Sequence, residues 1–158
     1  MYEPADAEGG ASTAAPGRRF IFLDYNGVML PSGHGADWTY ERCVAALNHI
    51  VAETGAAIVV TSSMRGTAAA AVRQLQSWGV IGSVAGVATR SVPGRANQVR
   101  AWLDTHPATG FVILDDDRGF DDLEAHLVQT DWLTGLTMAD AERAIAILRG
   151  EPGPGDVA

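Results

Sequence analysis

Three short apolar runs, each followed directly by acidic or hydroxyl side chains, constrain the fold of this chain more than any other feature of its sequence. The runs span residues 20–23, 57–60 and 111–114. Runs of this length, without alternation of polar residues, predict strands that are buried on both faces of a sheet. Segments with helical spacing separate them, which is the pattern of βαβ units. We therefore expect an α/β fold: a Rossmann-like parallel sheet with helices on both faces.

The segments between and after the runs predict four helices, because apolar residues recur there at helical spacing. These helices are expected at residues 38–54, 67–78, 95–105 and 138–148. Gly55 and Gly79 follow the first two, as expected of helix C-caps. Weaker strand signals occur within residues 80–88 and at residues 127–129.

Length and composition favour one domain. The chain has 158 residues, of which 47% are hydrophobic, enough for one core and too few for two ordinary domains. Residues 1–17 and 150–158 are rich in glycine, alanine and proline without periodicity, so we expect a disordered leader and a disordered tail. The single domain is then expected at residues 18–149.

Charge and hydropathy exclude some classes of partner. The net charge of −8 disfavours strong non-specific binding to nucleic acid. No run of eighteen apolar residues and no signal-like segment is present, so we expect no membrane partner and a cytoplasmic location. The single cysteine, Cys43, cannot form an internal disulfide and is expected to be buried on a helix.

Polar residues after the strands are expected to meet at one edge of the sheet. Connections between parallel strands are right-handed, which places every carboxyl end at the same edge. The residues expected there are Asp24, Asn26, Thr61, Ser62, Asp115 and Asp116. Carboxylates from two strands repel each other unless a cation lies between them, and Mg²⁺ suits such oxygen ligands. Hydroxyl groups beside them could hold phosphate oxygens, although Thr61, Ser62 or Ser63 could instead cap the following helix.

These residues, in this order and spacing, resemble the four motifs of the haloacid dehalogenase-like (HAD) hydrolase superfamily. The segment Asp24-Tyr-Asn-Gly-Val28 resembles the first motif with one departure, and Thr61-Ser62 resembles the second. Arg95 is the best match for the basic third motif, with Arg90 a weaker candidate, and Asp115-Asp116 resembles the fourth.

Three longer segments narrow the resemblance. They are Thr61-Ser-Ser-Met-Arg65, Leu114-Asp-Asp-Asp117 and Thr130-Asp-Trp-Leu-Thr-Gly-Leu136. They are similar to the small capless HAD domains found alone or within bacterial RNA-repair proteins. The resemblance covers about residues 19–149 and implies a HAD-like fold without a cap domain.

The resemblance implies an enzyme, a phosphatase or phosphoryl-transfer hydrolase that uses Mg²⁺. Asp24 would be the nucleophile that forms an aspartyl-phosphate. The metal ligands would be Asp24, the backbone carbonyl of Asn26, Asp115 and Asp116. Thr61 and Ser62 would hold the transferring phosphoryl group, and Arg95 would neutralise its charge.

Further substrate contacts are expected around these motifs, at Tyr25, Gly27, Ser63, Arg65 and His34. His34 lies in the loop after the first strand, and its imidazole could replace the acid that the superfamily's phosphatases have at the position of Asn26. Arg65 and Arg118 are each open between a phosphate contact and an ordinary surface charge. The four histidines lack metal-ligand spacing, so no zinc site is assigned.

The departure lies at Asn26. The superfamily's phosphatases have a second acid there, which protonates the leaving oxygen and then activates water, and an amide can do neither. Three explanations stay open: a substrate with a good leaving group, a nearly inactive domain, or an engineered replacement. The rival functions are a catalytically weak phosphate-binding or protein-interaction module, and a HAD hydrolase that cleaves a bond other than a phosphoester.

The expected substrate follows from the absence of room for a cap. The intervals from Asp24 to Thr61 and from Thr61 to Arg95 are each filled by predicted secondary structure and loop. An open site suits a phosphorylated macromolecule, either a nucleic-acid end or a phosphoprotein.

Overall fold

The computed structural model describes residues 18–32, 40–62 and 66–151. Within these ranges the strands form one five-stranded, all-parallel sheet. The strands are β1 (Arg19–Leu23), β2 (Ala57–Val60), β3 (Val84–Val87), β4 (Gly110–Asp115) and β5 (Leu127–Gln129). Their order across the sheet is β3-β2-β1-β4-β5. The predicted fold class is confirmed, and β1 occupies the centre.

The described helices match the predicted segments closely. They are α1 (Tyr40–Thr54), α2 (Ala68–Trp78), α3 (Arg95–Thr105) and α4 (Met138–Arg149). The two residues predicted before Tyr40 in the first helix lie outside the described residues. A short 3₁₀ helix, Asp121–His126, was not predicted. No helix of the described segments has the length and apolar character needed to cross a membrane.

Side chains of β1 alternate between the two faces of the sheet, and both faces are covered. Ile21 and Leu23 belong to the core cluster that also contains buried residues of α1, α2 and α4. Phe20 and Phe22 belong to a second cluster, which contains residues of α3. Strands buried on both faces need apolar residues at every position, which explains the uninterrupted apolar run.

The strand register brings the ends of three strands to the same level. Leu23, the last residue of β1, pairs with Val60 of β2 on one side and with Leu114 of β4 on the other. The residue that follows each of these is polar: Asp24, Thr61 and Asp115. Hydrogen bonds continue this register beyond β1, since the N–H of Asp24 donates to the carbonyl of Leu114 (3.1 Å) and the N–H of Thr61 donates to that of Leu23 (2.8 Å).

Candidate active site

Three carboxylates meet at the carboxyl edge of the central strands. Asp24, Asp115 and Asp116 each offer an oxygen, and these oxygens lie within 4.8 Å of one another. Asp24 and Asp115 are 3% and 0% exposed, and Asp116 is half-buried. Buried carboxylates this close are costly without a compensating positive charge.

Backbone amides orient the two buried carboxylates. The N–H of Tyr25 donates to Oδ1 of Asp24, and the N–H of Asp117 donates to Oδ1 of Asp115, both at 2.9 Å. In both residues the other oxygen, Oδ2, accepts from the same guanidinium nitrogen, Nη1 of Arg95, at 3.1 Å from Asp24 and 2.7 Å from Asp115. The two side chains are therefore held in fixed orientations that face a common cation.

Arg95 reaches the acids because α3 begins at this residue, directly after Gly94. Gly94 has a φ of +85°, a conformation that glycine adopts without strain and that turns the chain into the helix. Of the two arginines considered for the third motif, the structure brings Arg95 to the acids, whereas Arg90 is exposed in the loop before α3.

Burial and mutual repulsion shift the protonation of this cluster. Burial raises the pKa of Asp24, although Arg95 opposes the shift. Burial, together with the charge of Asp24, raises the pKa of Asp115 to about 7. Burial lowers the pKa of the Arg95 guanidinium, but the two carboxylates outweigh burial and raise it above its usual value. Three acids thus share one arginine, so the cluster favours an additional cation.

The donor set fits a divalent metal ion with a preference for oxygen. Two carboxylates are buried and fixed, a third is accessible, and all three are close enough to share one ion. Mg²⁺ binds through a small number of carboxylates and retains several waters. The three carboxylates could therefore hold a divalent ion such as Mg²⁺.

Two hydroxyl groups lie at the end of β2, next to β1. Thr61 and Ser62 are 2% and 0% exposed. The side chain that caps α2 is Thr67, whose Oγ1 accepts from the N–H of Ala70 at 3.0 Å. The alternative that Thr61 or Ser62 caps this helix is therefore wrong, and both lie at the strand edge where the acids meet.

The turn after Asp24 is tight and requires a glycine. The carbonyl of Tyr25 accepts the N–H groups of Val28, Met29 and Leu30 at 2.8–3.1 Å. Gly27 has a φ of +80°, and a Cβ at this position would lie 2.4 Å from Oδ2 of Asp116. The absence of a side chain at Gly27 thus allows Asp116 to approach the turn.

Asn26 and Tyr25 differ in where the turn places them. Asn26 is exposed on the turn, two residues after Asp24 and bridged to Leu30. The ring of Tyr25 is 5% exposed and packs in the core, edge to face with Trp78 at 5.1 Å. The expectation that the Tyr25 side chain contacts substrate is therefore corrected, because the turn directs the ring inward and only its backbone N–H reaches the site.

Sequence reasoning missed Thr130 as a site residue. Its N–H donates to the carbonyl of Asp115 at 3.0 Å, and its buried Oγ1 donates to the carbonyl of Gly27 at 2.7 Å. One threonine thus joins the strand that supplies Asp115 to the turn that follows the nucleophile candidate. Its signal was the same as for the other site residues, a polar side chain directly after a strand, here β5.

The segment that follows Thr130 supports the same turn. The N–H of Leu136 donates to the carbonyl of Val28, and the N–H of Ser32 donates to that of Trp132, both at 2.8 Å. We call residues 130–136 the brace segment.

Three predicted substrate contacts, at His34, Ser63 and Arg65, lie outside the described residues.

The fold and the acid cluster agree with a comparison to known families. The family model described as "HAD domain in Swiss Army Knife RNA repair proteins" matches residues 20–141, more than half of the chain. No curated protein and no solved structure shows a significant match. The matched region contains β2 to β5, all but the first residue of β1, the acid cluster and Arg95.

Proposed function

The chain belongs to the family of HAD domains in Swiss Army Knife RNA repair proteins, and from this membership we propose that it is a Mg²⁺-dependent phosphohydrolase with Asp24 as its nucleophile. The family supports a hydrolase-type function in general, and HAD domains typically use a metal ion. The observation that carries the finer proposal is the buried Asp24–Asp115 pair, with Asp116 beside it and Arg95 shared between the pair.

The metal would be held by the carboxylates of Asp24, Asp115 and Asp116, and by the carbonyl of Asn26. A bound Mg²⁺ would neutralise charge on the phosphoryl oxygens and on the carboxylates around it. Its binding would also relieve the repulsion that raises the pKa of Asp115.

The reaction would proceed in two displacements at phosphorus. A carboxylate oxygen of Asp24 attacks the phosphorus, the bond to the leaving oxygen breaks, and an aspartyl-phosphate forms. Water then attacks the phosphorus, the bond to the Asp24 oxygen breaks, inorganic phosphate leaves, and the proton of the attacking water passes to solvent. The N–H of Tyr25 fixes the orientation of the Asp24 carboxylate, which lowers the entropic cost of its attack on phosphorus.

Arg95, Thr61 and Ser62 would bind the transferring phosphoryl group. The Arg95 guanidinium has five N–H donors on three nitrogens, and only Nη1 contacts the two acids. Its other nitrogens can therefore contact phosphoryl oxygens from the same position. Preorganised donors around such a group stabilise the charge in its transition state. Thr61 and Ser62 lie at the correct strand end for this role.

Asn26 determines which substrates this site turns over. An amide cannot donate a proton to a leaving oxygen or accept one from water, and general acid–base catalysis typically contributes a factor of about 10²–10⁴. The enzyme is therefore expected to be slow, or to act on a substrate whose leaving group departs without protonation. The same residue favours the second candidate, a domain that binds phosphate without rapid turnover.

The substrate we propose is the phosphorylated end of a nucleic-acid strand. The family name associates these domains with RNA repair, and a domain of this kind without a cap would leave its site open to a chain end. A phosphoprotein is the alternative of the same size class.

Steady-state hydrolysis with a panel of phosphomonoesters and Mg²⁺ tests the proposal, with the wild type, Asp24→Asn and Asn26→Asp compared. We expect slow, metal-dependent turnover by the wild type, none by Asp24→Asn, and a rate about 10²–10⁴ times higher for Asn26→Asp. Asp24→Asn is nearly isosteric, so circular dichroism and urea unfolding serve as its folding control. The proposal that the protein is an enzyme is refuted if neither the wild type nor Asn26→Asp turns over any substrate and calorimetry detects no Mg²⁺ binding.

Turnover in Asn26→Asp alone, with Mg²⁺ and phosphate bound by both proteins, assigns the wild type to the binding function.

A further inference from the structure

A cavity of about 340 Å³ opens beside the acid cluster. It is lined by Arg95, Asp117, Arg118, Gly119 and Phe120. Arg95 forms part of its wall and also contacts Asp24 and Asp115, so the cavity adjoins the proposed reaction centre. Its size is in the range of ordinary small-ligand pockets, and two of its five lining residues are arginines.

Arg118 is available to a ligand in this cavity. Its side chain is 71% exposed, and its described ion pair, with Glu124, is long at 3.9 Å. Arg100, another arginine on this side of the sheet, contrasts with it, because its guanidinium forms a close ion pair with Asp122. A long and exposed ion pair contributes little, so Arg118 loses little when it turns to a ligand.

Asp117 is the acidic residue in the cavity wall, and its position limits its effect. Its N–H donates to Oδ1 of Asp115, and its own Oδ1 accepts the backbone N–H of Arg118 at 2.9 Å. The carboxylate is thus engaged by the backbone of its own loop. Arg118 therefore supplies most of the cavity's attraction for an anion, because Arg95 is already paired with Asp24 and Asp115.

The loop that carries Arg118 is anchored on both sides. Phe120 is 2% exposed and packs in the core cluster with Phe22 and Ile113, while Asp117 is bound to Asp115. The loop therefore presents the Arg118 side chain from a fixed base next to the acids.

We propose that this cavity binds a second phosphate of the substrate, a phosphomonoester or phosphodiester close to the one that is cleaved. Arg118 contacts this second phosphate, and Arg95 lies between the two phosphate positions. The inference rests on the proposed function at Asp24 and deepens it, because it separates bisphosphorylated nucleotides and nucleic-acid ends from substrates with one isolated phosphate.

The kinetic test compares substrates with one and with two phosphates. They are adenosine 5′-monophosphate, adenosine 3′-monophosphate, adenosine 3′,5′-bisphosphate and a dinucleotide with a terminal phosphate. We expect the wild type to prefer the last two by about tenfold in kcat/KM, mainly through KM, since a charge-assisted contact at an exposed site has about this value. The bisphosphate and the dinucleotide then distinguish a free nucleotide from a strand end.

Arg118→Gln should remove this preference, and Arg118→Lys should restore part of it. The matched control is Arg18→Gln, which removes the same charge from the opposite edge of the sheet, before β1, and should keep the preference. The preference should also fall as ionic strength rises, because the contact is exposed to solvent.

A binding experiment separates this inference from the proposed function. Calorimetry with Asp24→Asn and Mg²⁺ measures affinity for the bisphosphate and for each monophosphate without turnover. The wild type could hydrolyse no substrate while the Asp24→Asn protein binds the bisphosphate more tightly than the monophosphates. If adding Arg118→Gln to Asp24→Asn then abolishes this difference in affinity, the subsite stands and the enzymatic proposal fails. Equal affinity for one and two phosphates, an equal loss for both in Arg118→Gln, or a preference for a singly phosphorylated peptide overturns the subsite.

Discussion

Replacement of Asp115 by asparagine should change how the stability of the metal-free protein depends on pH. In the folded protein the pKa of Asp115 is raised from 3.8 to about 7, first by burial and then by the charge of Asp24. The unfolded chain releases this proton at the lower pKa. Between the two values the folded state binds more protons than the unfolded state, so stability falls as pH rises.

The size of the effect follows from the shift. One pKa unit corresponds to about 1.4 kcal/mol, so the whole shift corresponds to roughly 4 kcal/mol. Between about pH 5 and about pH 8 the folded state passes from mostly protonated to mostly ionised at Asp115, and this costs roughly 3 kcal/mol. Asparagine does not ionise, so Asp115→Asn should lack this decrease. Asp24, whose pKa is also raised, gives a slope of the same sign in both proteins.

Urea unfolding in the presence of a chelator measures this difference. The free energy of unfolding is determined across this pH range for the wild type, for Asp115→Asn and for Asp104→Asn, which replaces an exposed carboxylate on α3. We expect the wild type and Asp104→Asn to lose stability in parallel and Asp115→Asn to lose roughly 3 kcal/mol less. Parallel curves for all three proteins would refute the reasoning, since Asp115 would then carry no raised pKa.

Three other changes test the site. Gly27→Ala and Gly79→Ala both place alanine at a positive φ, which costs about 1 kcal/mol, but only at Gly27 does the new Cβ meet Asp116. For Gly27→Ala, urea unfolding should therefore show a further loss of about 1–3 kcal/mol and calorimetry a weaker Mg²⁺ affinity. Equal losses of stability in the two variants contradict this. Thr130→Val leaves the carbonyl of Gly27 without its 2.7 Å hydrogen bond, so it should lower the free energy of unfolding by about 1–3 kcal/mol and also lower kcat. Thr130→Ser should restore both quantities. Thr109→Val, which removes an exposed and longer hydrogen bond, should have little effect. Mg²⁺ at about 100 times its dissociation constant should raise the free energy of unfolding by about 2.7 kcal/mol. At a fixed Mg²⁺ concentration the gain should be larger at high pH, where the carboxylates are ionised, and a gain that is unchanged in Asp115→Asn contradicts the metal assignment.

The sequence predicted the fold and the acid cluster because both depend on local signals. Apolar runs such as residues 20–23 report strands buried on two faces, and parallel strands must end at a common edge. Asp24 and Asp115 follow such runs directly, so their meeting needed no knowledge of side-chain geometry. Arg95 was predictable for a related reason, since it opens a helix that follows a strand on the same sheet.

The failures concern residues whose positions depend on contacts far along the chain. Thr130 acts through the carbonyl of Gly27, which lies 103 positions away in the chain, and no local sequence pattern around Thr130 indicates that partner. Tyr25 follows a strand, but the turn after Asp24 no longer alternates, so the direction of its ring could not be derived from the period of β1.

The hydrogen bonds of the brace segment join the segment after the first strand to the segment after the last strand, and this affects how the protein unfolds locally. Val28 and Ser32 follow the first strand, whereas Leu136 and Trp132 follow the last. Release of either segment breaks the bonds of the other, so the two should unfold locally as one cooperative unit. The amide hydrogens of Ser32 and Leu136 would then exchange with solvent at a common rate, although more than a hundred residues separate them in the chain. The lifetime of the turn after Asp24 would then be set by a segment that is synthesised about a hundred residues later.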